Sequence, residues 1–133
     1  MTANTYPVFA LTPRCGMAQI LTANTNRDGT GTLGTVLAAG GNGTRIDLIT
    51  IKAIVTTTAG MIRLFIHDGT NYRLWKEVAV SAITPSGTVA AFAGILTPDT
   101  DGDLPLILPA NYSLRASTNN AETFNVIAQG GDF

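Results

Sequence analysis

The chain has 133 residues, enough for one domain in which about two-thirds of the unfolded surface becomes buried. Charged residues make up only 13% of the chain, against a usual ~25%, while hydrophobic residues make up 45%. The net charge is −1, and the eight Lys and Arg residues are spread singly, which argues against nucleic acid as a partner because no basic stripe could neutralise a phosphate backbone. A surface so poor in charge favours a protein that uses much of it for subunit contacts.

The single cysteine, Cys15, excludes an intrachain disulfide. The first residues, MTANTYPVFALTPR, lack the basic region and the uninterrupted apolar run of a signal peptide. No apolar stretch reaches the ~18 residues of a membrane-spanning helix. We therefore expect a protein that is made in the cytoplasm, carries no export signal and is not embedded in a membrane.

Residues 1–14 are predicted to form an extended N-terminal arm, and residues 15–133 a folded domain. Pro7 and Pro13 disfavour a helix in the arm. Its large apolar side chains, which must be buried somewhere, are those of Tyr6, Val8 and Phe9. Two interpretations remain open: the arm is the first strand of the domain's own sheet, or it clasps a neighbouring subunit or a larger surface.

The domain begins with short strands predicted at residues 15–22 and 33–39. The loop between them, residues 23–32, is polar, has turn chemistry at Asp28-Gly29 and carries no hydrophobic anchor.

Residues 44–80 have the clearest strand alternation and predict a three-strand meander. In its first strand, Ile46 and Leu48 share one face, and the alternation slips by one residue at Leu48/Ile49, which indicates a β-bulge. The second strand is predicted to direct Ile62, Leu64 and Ile66 inward and Arg63, Phe65 and His67 outward. Gly69 and Asn71 are predicted to supply the positive φ of the turn into the third strand.

The remaining strands are predicted at residues 89–96, 112–118 and 122–129. Residues 97–103 form a turn-rich acidic loop, and 104–108 are apolar but contain Pro105, which favours an edge strand or an extended crossing. Short strands without helical periodicity predict an all-β, single-domain antiparallel β-sandwich or barrel, preceded by the extended arm. A jelly roll fits the expected eight to ten strands best, and it leaves function open because capsid proteins, lectins and cupins all use it.

No catalytic site is expected. A Ser-His-Asp or Cys-His arrangement would have to use the only histidine, His67, which lies at a hairpin end beside Asp68 and is better explained as a surface or turn residue, and the only thiol, Cys15, lies in a distant strand. One His and one Cys are too few for zinc. Most aspartates lie in turns and Glu77 and Glu122 are the only glutamates, so no carboxylate pair for glycoside hydrolysis is visible and no cofactor is expected.

Two constellations remain as binding candidates. Asp99, Asp101 and Asp103 alternate around Gly102 as at the start of a calcium loop, but the closing bidentate Glu is missing, so a plain acidic turn is the favoured interpretation.

The second constellation comprises Arg63, Arg73, Trp75 and Glu77, which by strand parity share an outward face. An exposed Trp with two Arg is typical of an interaction hot spot. An ion-paired patch on the protein's own second sheet explains the same residues equally well.

The runs GMIRLFIHDGTNYRLWKEV (60–78), LPANYSLRAST (108–118) and ETFNVIAQGGDF (122–133) resemble small structural proteins of tailed bacteriophages and prophages, and are similar to capsid decoration, or cement, proteins. The resemblance covers approximately residues 31–133. It implies a compact β-sandwich without enzymatic activity, commonly a symmetric oligomer on the outer capsid lattice. No individual functional residues carry over.

From the resemblance and the composition together we expect a virion protein on the outer capsid surface. It would bind the major capsid protein lattice as a homo-oligomer, with a trimer favoured, through Tyr6, Val8 and Phe9 of the arm and through loop tips. The alternative is a carbohydrate- or host-surface-binding module of a phage tail or fibre. That module would use Tyr72, Trp75 and the acidic loop for stacking and a calcium-assisted contact.

Overall fold

A computed structural model describes residues 10–133 of the chain, so Tyr6, Val8 and Phe9 of the predicted arm lie outside the described residues. The described residues form nine strands and no helix. The strands are β1 (Thr12–Ile20), β2 (Gly34–Ala38), β3 (Thr44–Ala53), β4 (Gly60–His67), β5 (Tyr72–Val80), β6 (Ala93–Leu96), β7 (Leu106–Leu108), β8 (Ser113–Thr118) and β9 (Phe124–Asp132).

The strands form two antiparallel sheets that pack face to face. Sheet A has the order β1-β9-β3-β6, with β7 also paired to β3, and sheet B has the order β2-β8-β4-β5. The predicted all-β, single-domain antiparallel sandwich is thus confirmed, whereas the jelly roll stays a prediction. The described part of the predicted arm ends inside β1, because Thr12–Arg14 already pair with β9.

The predicted three-strand meander is wrong. β3 belongs to sheet A, whereas β4 and β5 form a hairpin in sheet B. The connection after β3 carries the chain from one sheet to the other, and strand alternation is the same for either destination. In the hairpin turn, Gly69 adopts a positive φ of 99°, as predicted, but Asn71 does not, since Asn111 is the only described non-glycine residue with positive φ.

The hydrophobic core lies between the sheets and takes the inward residues of each strand. In sheet A, Phe124, Val126 and Ala128 alternate along the central strand β9 and are fully buried. Sheet B contributes Ile62, Leu64, Leu114 and Ala116 among others. Each buried large apolar side chain stabilises the fold by roughly 1.5–3 kcal/mol, so the sandwich depends on this layer.

A β-bulge in β3 sets which side chains enter the core. The register with β9 shifts between Ile46 and Leu48, which makes Asp47 the extra residue. A bulge was predicted here, but one residue later. Ile46 and Ile49 are therefore both buried, whereas Leu48 is paired with the exposed Gln129 and faces away from the core, contrary to the prediction.

Two strands near the end of the chain can be compared with their predicted positions. β7 pairs only with β3, so Pro105 precedes an edge strand as predicted. β9 extends beyond the predicted end at residue 129, because Gly130 and Gly131 pair with β1 on one side and β3 on the other.

Candidate interaction surfaces

The outer face of sheet A, the side directed away from the core, carries an apolar row across four strands. The cross-strand partners in this row are Met17, Ile127, Thr50 and Ile95, from β1, β9, β3 and β6. Met17 is 71% exposed and Ile95 57% exposed, although both are large apolar residues. Exposed apolar side chains that are contiguous, rather than scattered, are typical of an interaction site.

The surroundings of this row are apolar or uncharged. Leu48 and the exposed Cys15 lie two residues along their strands from it, and Ile107 is a further exposed apolar residue on β7. Gln19 and Asn125 border it and are hydrogen-bonded to each other at 3.0 Å. The face is therefore a wide surface on which a partner would meet mainly apolar and uncharged side chains.

Few charges lie on the outer face of sheet A, and each has a partner. Arg45 and Asp47 form an ion pair of 2.7 Å near the end of β3. The ammonium of Lys52 donates to the carbonyl oxygen of Ala91 at 2.8 Å.

The chain enters β1 across this same face. A Cβ added to Gly131 would lie 2.7 Å from Cβ of Ala10, so Ala10 passes directly over β9. Beside this point the hydroxyl of Thr44 donates to Asp132 at 2.5 Å, and Arg14 pairs with Asp132 at 2.9 Å. Both contacts lower the pKa of Asp132, and they anchor the start of β1 to the end of β9.

The outer face of sheet B carries charged and aromatic side chains. Arg63 is only 3% exposed, and its Nε lies 3.4 Å from Oε2 of Glu77. Its Nη1 donates to the side-chain oxygen of Asn119 at 3.1 Å and to the backbone oxygen of Asn24 at 3.4 Å. Arg27 also pairs with Glu77 at 3.1 Å, so one carboxylate lies between two guanidinium groups.

Residues 21–33, which we call the cover loop, fold over this face. Asn24 is buried, and its side-chain amide donates to the carbonyl oxygens of Thr30 and Thr32 at 2.9 and 3.0 Å. Its backbone N–H donates to the carbonyl oxygen of Thr118, which fixes the loop to β8. Within residues 23–32, the loop predicted to lack a hydrophobic anchor, polar bonds hold the chain in place.

The cover loop explains the burial of Phe65. This residue was predicted to point outward, and it does lie outside the core cluster between the sheets, yet it is fully buried. Gly29 of the loop, at φ 89°, lies so close to Tyr72 that a Cβ there would overlap the Tyr72 side chain. Phe65 is thus buried beneath the chain's own cover.

The predicted patch of Arg63, Arg73, Trp75 and Glu77 does not form as one surface. Arg63 and Glu77 do pair, as the ion-pair interpretation holds. Trp75 instead packs against the core, because β5 bulges there: Leu64 pairs with Lys76 and Phe65 with Leu74. Arg73 is exposed and donates only to the backbone oxygen of Tyr72. Their roles in contacts with a subunit or capsid stay predictions.

Two of the three aspartates of the acidic loop share one lysine. Lys76 forms ion pairs with Asp103 and, at 3.0 Å, with Asp101. These contacts raise the pKa of Lys76, while the backbone N–H of Asp103 and then Lys76 lower the pKa of Asp101. Across residues 10–133, no group of three or more His, Cys, Asp or Glu comes together as potential metal ligands.

The groups with potential reactivity are far apart. Cys15 lies on the outer face of sheet A, whereas His67 lies in sheet B, where its ring stacks on Tyr72 with centroids 4.0 Å apart. The carbohydrate-binding alternative needs Tyr72 and Trp75 together, but the bulge places Trp75 toward the core while Tyr72 lies beneath the cover loop on the other side.

Comparison of the sequence with models of known protein families and with curated proteins gives no match. Among residues 10–133 no helix has the length and apolarity needed to cross a membrane.

The sequence analysis missed the apolar row of sheet A. Leu11, Cys15 and Met17 recur at odd-numbered positions, but the row became visible only when the pairing of β1, β9, β3 and β6 was known. The predicted meander had grouped β3 with the wrong sheet. Apolar residues at the outward positions of these strands were a sign of an interaction surface. That sign could be recognised only with the strand order.

Proposed function

We propose that the chain is a non-enzymatic bacteriophage virion protein that binds the outside of the capsid and stabilises it as a symmetric oligomer, with a trimer favoured. The observation that carries this proposal is the outer face of sheet A. A flat, weakly charged surface with exposed Met17, Ile95 and Ile107 is expected of a subunit in an assembly.

The resemblance to decoration proteins supports the same role. Its three runs correspond to the β4–β5 hairpin, to β8 with the turn before it, and to β9. The strand order also favours the jelly-roll form of the sandwich, because the chain crosses to the other sheet at every connection except β4–β5 and β6–β7, and the early strands β1 and β2 pair with the late strands β9 and β8. Viral capsid proteins are among the users of that fold.

The mechanism we propose is mass action. A protein that binds only the assembled, expanded shell adds RT ln(1 + [L]/Kd) to the stability of that state, which is about 2.7 kcal/mol per site at a free concentration 100 times Kd. Many such sites on one lattice would resist separation of the major capsid protein subunits. The site of action is then the outer capsid surface of the virion.

The test is binding of the purified full chain to mature heads of the phage or prophage that encodes it, prepared without this protein. We expect saturable binding that raises the temperature at which the heads release DNA. Unexpanded procapsids are the matched control and should bind more weakly. Heads that neither retain the protein nor gain thermal stability would contradict the proposed function.

A further inference from the structure

The outer face of sheet A has the size of a protein contact. Sheet A contains strands of nine, nine, ten, four and three residues (β1, β9, β3, β6 and β7). At about 3.3 Å per residue and about 4.8 Å between strands, they give roughly 550 Å² of sheet surface. Each partner in a stable complex buries about 800 Å² of accessible surface. The accessible surface of this face is larger than the area of the sheet itself, because side chains project from it. The face is large enough for another protein domain and larger than a small ligand would need.

The chemistry of the face selects a partner that brings few charges. A carboxylate or ammonium placed against Met17 or Ile127 would lose its water, and Arg45 and Asp47 are already paired with each other while Lys52 is held by the carbonyl oxygen of Ala91. A second copy of this chain meets that condition. Only 13% of its residues are charged, and it offers an apolar face of equal size.

The surface shape of the face, with projecting side chains and a cavity, suits an apolar contact. A cavity of about 230 Å³ lies beside the row, lined by Met17, Ala18, Gln19, Asn125 and Ile127. Met17 and Ile95 stand out from the sheet at the two ends of the row, since both are more than half exposed. A copy therefore presents both projecting side chains and a depression that could receive an apolar side chain of its neighbour.

We propose that the outer face of sheet A is the surface through which one copy of this chain contacts a second, with the row Met17, Ile127, Thr50 and Ile95 at its centre. The inference deepens the proposed function, on which it rests, because it assigns a subunit contact of the oligomer. Two identical faces packed against each other are related by a two-fold axis, so this contact joins copies in pairs, and the favoured trimer would need a further, different contact. Binding to capsids then falls to other surfaces.

The test is sedimentation equilibrium of the full chain over a range of concentrations, without capsids. We expect the mass of more than one copy of the 13.9 kDa chain. The double variant Met17→Lys/Ile95→Lys should lower the association constant at least about 100-fold, because two ammonium groups would be buried without partners. Both positions are exposed in the single chain, so the variant should fold.

The matched control is Val55→Lys/Val89→Lys, which changes two exposed apolar residues in the β3–β4 and β5–β6 connections. We expect the control to associate as the wild type does. Equal loss in both variants would overturn the inference, because the contact would then reflect general surface hydrophobicity.

Cys15 provides an independent readout, since it is exposed on the same face, two residues along β1 from Met17. Alkylation of Cys15 by a bulky maleimide should slow as protein concentration rises through the association range. In the double variant the rate should stay fast at every concentration. A rate independent of concentration in the wild type would contradict the proposed contact.

Other results separate this inference from the proposed function. A wild type that is monomeric but binds mature heads would overturn the inference and leave the capsid role standing. An oligomer that depends on Met17 and Ile95 but binds no heads would do the reverse. Association that appears only after deletion of residues 1–9 would mean that these residues cover the face within their own subunit, and would overturn the inference as well.

Discussion

The two outer faces of the sandwich are completed differently. Sheet B places Arg63, Phe65 and Glu77 on its outer side, where Arg63 and Phe65 are buried and the cover loop accepts a hydrogen bond from Arg63. Sheet A places Met17, Ile127 and Ile95 on its outer side, and among the described residues only Ala10 crosses it. One face is finished by intramolecular contacts and the other remains open.

This difference indicates which contacts belong to stability and which belong to assembly. Changes on the covered face should lower the free energy of unfolding, because they remove buried packing or leave a buried cation uncompensated. Changes on the open face should leave unfolding nearly unaltered and act only on association.

The largest effect is expected for Phe65→Ala. Removal of a fully buried phenyl ring, with the cavity that it leaves, lowers the free energy of unfolding by about 3–5 kcal/mol. The matched control is Ile95→Ala on the open face, which should change the free energy of unfolding of the single chain by less than about 0.5 kcal/mol. Equal values in urea denaturation would remove the distinction between the two faces.

Next is Gly29→Ala, which tests whether the cover loop must sit as closely as it does. Gly29 has φ 89° and leaves no room for a Cβ beside Tyr72, so we expect a loss of about 1–3 kcal/mol. Gly41→Ala is the control, because an added Cβ there meets nothing within 4 Å. Thermal unfolding of both variants measures the difference. A Gly29→Ala protein as stable as the wild type would show that the cover loop can move away from Tyr72 without loss of stability.

A smaller effect is expected for Glu77→Gln. The buried Arg63 would lose its anionic partner, but Glu77 is 31% exposed, so water would compensate in part and we expect a loss of about 1–2 kcal/mol. Arg27→Gln removes the exposed guanidinium from the same carboxylate and should cost under about 0.5 kcal/mol. If the two substitutions had the same effect, Arg63 would not be the partner that matters.

The smallest effect concerns pH. The side-chain hydroxyl and backbone N–H of Thr30 hold the pKa of Asp28, in the cover loop, below its ordinary value of 3.8. Because the folded-state pKa is lowered, this contribution is complete above pH 3.8 and disappears as pH falls through the lowered value. The stability difference between wild type and Asp28→Asn should therefore shrink only below about pH 4. Asp99→Asn serves as the control, and a difference for Asp28→Asn that stays constant down to pH 2 would refute this role.

The sequence predicted the local structure of this chain better than its long-range pairing. Alternation located most strands and the β4–β5 hairpin, and Pro105 indicated an edge position. Alternation could not show that β3 belongs to sheet A while β4 and β5 belong to sheet B, since inward-facing residues follow the same pattern in either sheet. The meander failed for that reason.

Bulges caused the remaining errors. An extra residue at Trp75 reverses parity, so a side chain predicted to face outward packs against the core instead. The cover loop also escaped prediction, because Asn24 secures it with amide hydrogen bonds that no hydrophobic pattern reveals. The apolar row of sheet A required the pairing of four strands and could be recognised only in three dimensions.

The position of β9 between β1 and β3 has a consequence for the order in which the protein folds during synthesis. Arg14 and Asp132, which pair across β1 and β9, are 118 residues apart in the chain. The β4–β5 hairpin can close as soon as it leaves the ribosome, but β1 has no sheet partner until β9 is made. β3, β6 and β7 can pair before β9 is made, but β1 joins them only through β9, so the outer face of sheet A is complete only after synthesis of the ninth strand.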